Sequence, residues 1–263
     1  MPLHSSLVLR LGLGLVLFGW SYDLHFNPTY YTHVLGALAP TMQVLLPALG
    51  ASILIGFATT FTAPLAAVLF AYFGLALEGH QPIGLPQNAG LAAGALALAL
   101  IGPGPLAPGR TTQAATPRQV QLAALVLRLG LALVFLVYGT QKFINQDEYR
   151  IVVAEVSVLK PVTHLVGAQI ALMVIGTAEV LMGLSLLVRP LVLWGSLGQI
   201  FMLVSFLAAL GYPMSYPQDT GLVATLLSLA FLQPMAWPLL ARRSAVRPVI
   251  RTAHTTLPVP VEG

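Results

Sequence analysis

Two stretches of nearly identical sequence, LVLRLGLGLV at 7–16 and LVLRLGLALV at 125–134, decide how this chain is read. Each places a single arginine, Arg10 or Arg128, in an otherwise apolar run. Further landmarks follow both copies in the same order. LGALAP at 35–40 recurs as VSVLKP at 156–161, and TAPL at 62–65 recurs as VRPL at 188–191. LPQNAGL at 85–91 recurs as YPQDTGL at 216–222. Self-similarity of this kind, in one order along the chain, is the mark of a tandem duplication. Within each copy the TAPL or VRPL motif reads as a tight turn, and the prolines of the other two motifs open helices.

Composition fixes the solvent. Hydrophobic residues make up 57% of the 263 and charged residues 8%, and the mean hydropathy is +0.86. A spanning helix takes about 20 mostly apolar residues, and the chain supplies such runs at roughly 6–24, 41–61, 64–79, 89–102, 121–142, 162–187, 190–210 and 219–240. The predicted fold is therefore all-α: a polytopic membrane protein of about eight transmembrane helices, built as two tandem four-helix bundles in the same orientation. The first unit covers 1–102, a linker 103–120, the second unit 121–240, and a basic tail without apolar periodicity 241–263. The runs at 64–79 and 89–102 are short for a bilayer. The first run follows Met1 as a signal peptide would, but its near-identity to 125–134 marks it as a structural helix.

Charge gives the expected orientation. Arg110, Arg118, Arg189, Arg242, Arg243, Arg247 and Arg251 fall on one side, against Lys142, Arg150 and Lys160 on the other. That bias predicts a cell-membrane protein with both termini cytoplasmic. The net charge of +4 thus reads as topology and as contact with anionic lipid, not as nucleic-acid binding. Cysteine is absent, which excludes disulfides, thiol relays and Cys-ligated metal centres. The six histidines lie at ends, loops or tails, without the paired spacing of a haem or zinc site, so no metal is expected.

Glu179 stands out, because a carboxylate midway along a span costs roughly 2.5–3.5 kcal/mol on insertion scales. Counted from the cytoplasmic ends, Arg128 and Glu179 reach similar depth, so the two are expected to pair. They are the candidate catalytic residues, either as a structural ion pair or as a protonatable site. Arg10, whose unit offers only Ser52 near the position of Glu179 and Leu24 near that of Lys142, is expected to snorkel to the interface. At the opposite rim, Lys142, Gln218 and Asp219 converge in level, with Tyr138 and Tyr216 beside them. Cation, amide and carboxylate together suit a quinone carbonyl or an anionic substrate.

LRLGLALVFLVYGTQKF at 127–143 and GTAEVLMGLSLLVRP at 176–190 resemble the DoxX family of small four-helix membrane proteins. That family includes the DoxD-type subunit of thiosulfate:quinone oxidoreductase. Arg128, Gly139, Lys142, Glu179 and Gly183 carry the resemblance, and the first unit keeps only Arg10. The resemblance implies a membrane subunit of a respiratory-type oxidoreductase, with quinone as its one candidate cofactor and none bound covalently. Other membrane or redox subunits would supply the redox centre. A purely structural or assembly subunit is the alternative, and a small-solute transporter a more distant one.

Overall fold

The computed structural model describes residues 2–27, 35–78, 84–104, 106–107, 115–155, 159–210 and 216–233. The basic tail and most of the linker, with Arg110, Arg242, Arg243, Arg247 and Arg251, lie outside them, as does the side chain of Tyr216. Among the described residues eight long helices follow one another: α1 (Pro2–Phe26), α2 (Ala39–Ile55), α3 (Thr59–Glu78), α4 (Gly84–Ile101), α5 (Pro117–Ile144), α6 (Ala168–Leu187), α7 (Val192–Leu210) and α8 (Tyr216–Leu232). Two short helices, Gln146–Glu155 and Lys160–Val166, cross between α5 and α6. No strand occurs among the described residues. The protein is an all-helical, multi-pass membrane protein.

Local sequence explains the boundaries. Thr116 opens α5 with a capping box to Gln119, followed by Pro117 in the first turn, so the free N–H groups of the helix start are satisfied. Helix α2 ends at Gly56, whose φ of +77° gives the left-handed C-terminal turn that glycine adopts without strain. The turn between α2 and α3 is therefore Gly56–Ala58. TAPL, expected to be that turn, instead lies inside α3, with Pro64 in its second turn, where its missing N–H leaves the Thr60 carbonyl without its helical donor. In the second repeat VRPL does hold the turn, as a 3-10 segment at Arg189–Leu191.

Helices of each repeat close a ring, α1–α2–α3–α4 and α5–α6–α7–α8, and the rings share one core because α1 packs on α8 and α4 on α5. Equivalent close contacts reveal the symmetry. A Cβ on Gly12 would sit 2.1 Å from the Ala224 Cβ, and one on Gly130 would sit 2.3 Å from that of Ala93. Gly90 likewise abuts Val134 and Leu222, as Gly221 abuts Val16 and Leu91. Small residues let helix backbones approach where lipid offers no hydrophobic drive. The α4–α8 contact lies on the pseudo-two-fold axis.

Among the described residues six segments are long and apolar enough to cross a membrane: His4–Phe26, Gly36–Ile55, Thr59–Ala76, Pro117–Ile144, Ala168–Leu187 and Arg189–Ala208. The apolar helix Leu85–Ile101 is shorter, and α8 has 17 residues. Both short helices are the central ones: α4 meets α1, α3, α5 and α8, while α8 meets α1, α4, α5 and α7. Wrapped in protein, they need no full hydrocarbon length of their own. The peripheral helices present Val44, Phe61, Val68, Trp194 and Phe201 outward, an apolar surface matched to lipid.

Candidate functional site

The repeated arginines do the same job. Arg10 Nε donates to the carbonyls of Ile53 and Leu54, both at 3.1 Å, and Nη1 donates to Pro103 at 2.9 Å. Arg128 Nε donates to Leu186 at 2.7 Å, and its Nη2 to Leu187. Each guanidinium thus satisfies the terminal carbonyls of the antiparallel neighbour, α2 or α6, and sits at the negative end of that helix dipole. Two expectations are corrected here. Arg128 does not pair with Glu179, which lies about two turns along α6 from Leu186. Arg10 does not snorkel; it is 4% exposed and turned into the protein.

Glu179 pairs instead with Lys142, Nζ to Oε2 at 2.6 Å. Both are buried. The helices meet closely at this level, where a Cβ on Gly139 would lie 2.7 Å from the Gly176 carbonyl. The ammonium also lies 5.7 Å from the ring centre of Tyr138 and 5.1 Å from that of Tyr149, within cation–π range. Tyr149 comes from the short helix Gln146–Glu155, and its hydroxyl donates to Gln141 at 3.0 Å. This helix covers the site from the side opposite the arginines.

Matching arginines fix the correspondence between repeats. Since Ile53 and Leu54 stand where Leu186 and Leu187 stand, Glu179 corresponds to Leu46, not to Ser52. Lys142 corresponds to Leu24 and Tyr138 to Trp20. Leu24, Leu46 and Trp20 are all buried. The buried ion pair of one repeat is a buried leucine pair in the other. On α3 and α7 the alternation of buried and exposed positions superposes Ala63 and Ala66 on Ser196 and Gln199, all four fully buried. Trp20 packs against Phe70 and Phe73, ring centres 5.3 and 4.5 Å apart, an aromatic cluster in a first bundle that also buries Asp23 and Asn88.

The second bundle buries more polar groups. The Tyr138 hydroxyl, the Ser196 hydroxyl and both amide atoms of Gln199 are buried without a hydrogen-bond partner. Val192 and Leu203, on the same face of α7 as Ser196 and Gln199, join the core that contains Tyr138. Register spreads them along the bundle: Gly195 abuts Ser185 and Leu186 of α6, which sets Ser196 toward the Arg128 end, whereas Gly198 abuts Met182 and Gly176 abuts Gly139 and Lys142. Gln199 therefore lies within about a turn of Glu179. Asp219 is also buried, receives a 3.5 Å hydrogen bond from Gln87 of α4, and acts electrostatically on Tyr138, as Glu179 does.

Of the residues singled out in the sequence, the structure brings together Lys142, Glu179, Tyr138 and Asp219. Arg128 is separated from them at the other end of α5. Gln218 is half-buried at the start of α8. Ser196 and Gln199 escaped the reading, although WGSLGQIF at 194–201 shows the signal: two polar residues three apart on one face of an apolar helix. Among the described residues no group of three His, Asp or Glu converges as metal ligands.

On the first repeat's surface the counterparts of Gly139 and Gly176 are Ser21 and Gln43. They line an open groove of about 610 Å³ together with Phe18, Tyr22, His25 and Phe26.

Residues 120–245 match a known family, described as methylamine utilisation protein MauE. No curated protein and no solved structure matches the chain. The match corrects the DoxX reading, for it falls on the very segment, Arg128 to Gly183, that carried the DoxX resemblance. The physical reason is plain. An arginine capping a neighbouring helix and glycines at a close helix contact serve any tightly packed antiparallel pair, so they do not single out one family. The second repeat, with its buried polar site, is similar to the MauE family.

Proposed function

We propose that the protein is a membrane accessory component of a methylamine-utilising system, with its second repeat as the working half. The match to the methylamine utilisation family over residues 120–245 carries this reading. The contrast between the repeats supports it: Tyr138, Lys142, Glu179 and Gln199 of the matched half stand where the first repeat has Trp20, Leu24, Leu46 and Ala66. In this reading a partner supplies the redox chemistry. The quinone expected from the DoxX resemblance is left without support by the match to the methylamine utilisation family.

Deleting the gene in its host should abolish growth on methylamine as sole nitrogen source and leave growth on ammonium intact. Mild-detergent purification of the tagged full chain should retain an amine-oxidising partner. Unimpaired growth on methylamine would overturn the reading.

The positive-inside bias of Arg110, Arg118, Arg189 and the tail supports a cytoplasmic location for the arginine-capped end, where α1 begins and α8 finishes. Reporters fused after Lys160 and after Arg247 should then report outside and inside, respectively; the reverse pattern would reverse the orientation.

A further inference from the structure

We propose that the short helix Lys160–Val166 is a phospholipid-binding element, seated in the membrane interface with its apolar face among acyl chains and Lys160 against lipid phosphate. Three observations carry it.

The helix has two faces, and the chain uses neither in its own packing. At about 100° per residue, Lys160 and His164 fall on one side and Val162, Leu165 and Val166 on the other. Leu165 is 85% exposed, and Val162 and Val166 are exposed as well. So are Lys160 and His164. A small satellite core lies nearby, formed by Val153, Ala171 and Leu172 with Tyr149, Leu159 and Ile175 packed against it. It takes Leu159, just ahead of the helix, and none of the seven residues that follow. A helix with separate apolar and basic sides, both left open, has the form that lies in a lipid interface.

Position supplies the lipid. The spans Pro117–Ile144 and Ala168–Leu187 bracket the connection, so both of its ends are fixed at the edge of the hydrocarbon. Leu165 stands within one helical turn of the start of α6. Gly167, at φ +83° and ψ 148°, ends the short helix in a backbone form that glycine adopts without strain and turns the chain into the span. Beyond it the exposed apolar residues continue as Ile170, Met173 and Val174 of α6, part of the surface matched to lipid. The short helix extends that surface to the interface.

Charge selects the headgroup contact. Arg150, on the preceding short helix, is engaged by Asp147 at 3.5 Å, whereas Lys160 makes no ion pair among the described residues. A lysine beside an apolar face reaches its ammonium to the headgroups while its stem stays on hydrocarbon. Anionic lipid strengthens that contact.

The chain has no cysteine, so the full protein can carry a single spin label at Leu165→Cys or at His164→Cys and be read in phospholipid nanodiscs. Oxygen, which concentrates among acyl chains, should relax the label at 165 severalfold more than a water-soluble nickel complex does, and the order should reverse at 164. Val162→Cys repeats the first measurement if Leu165→Cys fails to fold. Replacing part of the phosphatidylcholine by phosphatidylglycerol should slow the motion of the label at 165, and Lys160→Gln should cancel the slowing. Equal access of both reagents at 164 and 165 would place the helix in water. Shielding of 165 from both would place a second copy of the chain over it. Either result would overturn the proposal. No effect of phosphatidylglycerol, or one that survives Lys160→Gln, would overturn the assignment of Lys160 to phosphate.

Discussion

Replacing Lys142 alone by leucine, or Glu179 alone, is expected to destabilise the protein by about 3–5 kcal/mol, because a buried charge is left without its partner. The double variant Lys142→Leu/Glu179→Leu should recover most of that loss. The structure contains the precedent: Leu24 and Leu46 occupy the equivalent positions of the first repeat and are buried without strain on the ring of helices. Replacing both members of such a pair by hydrocarbon is often neutral or stabilising. Thermal melts of the two single variants and the double in detergent give the coupling directly. Additive losses would show that the pair is not a closed unit. The double variant should still fail to restore growth on methylamine in the deletion strain, which separates the pair's role in the site from its role in folding.

Arg10→Leu and Arg128→Leu should both harm folding, and Arg10→Leu at least as much. Hydrogen bonds to charged groups contribute about 1.5–3 kcal/mol each. Arg10 reaches three carbonyl groups on α2 and beyond α4, and Arg128 reaches two on α6. Glu179→Gln should give no relief to Arg128→Leu, since the two side chains belong to different clusters. Melting of the single and double variants checks both statements. A rescue by Glu179→Gln would mean that arginine and glutamate meet after all.

Much of the architecture was legible in the sequence, and the reasons are specific. Eight apolar runs and one ordered set of repeated landmarks sufficed for the all-helical, multi-pass fold, because apolar length is a direct reading of bilayer thickness. Partner choice was not legible to the same degree. Depth counted from estimated helix ends set Arg128 beside Glu179, yet α5 begins at Pro117 and carries the arginine to a level about two turns away. Setting TAPL opposite VRPL, which the structure places inside a helix and in a turn respectively, moved the counterpart of Glu179 from Leu46 to Ser52. Lys142 was read as a rim residue because it stands near the end of an apolar run, and only the cover of Tyr149 and the close contact of Gly139 with Gly176 make it an interior group. Gln199 was passed over because a single amide hardly changes the hydropathy of its helix.

The interleaving of the repeats has a consequence for how such a protein arose. Helix α1 completes its packing only against α8, with Ser5 and Ser228 exchanging hydrogen bonds across 223 positions of sequence, and α4 only against α5. A lone repeat would leave both faces open, and a second copy of itself would cover them by the same contacts, in the isologous manner of a two-fold dimer. The chain is in this sense a dimer joined end to start. Fusion lifts the constraint that both halves be identical, so one could keep Trp20, Leu24 and Leu46 as a rigid frame while the other placed Tyr138, Lys142 and Glu179 where only one site was wanted.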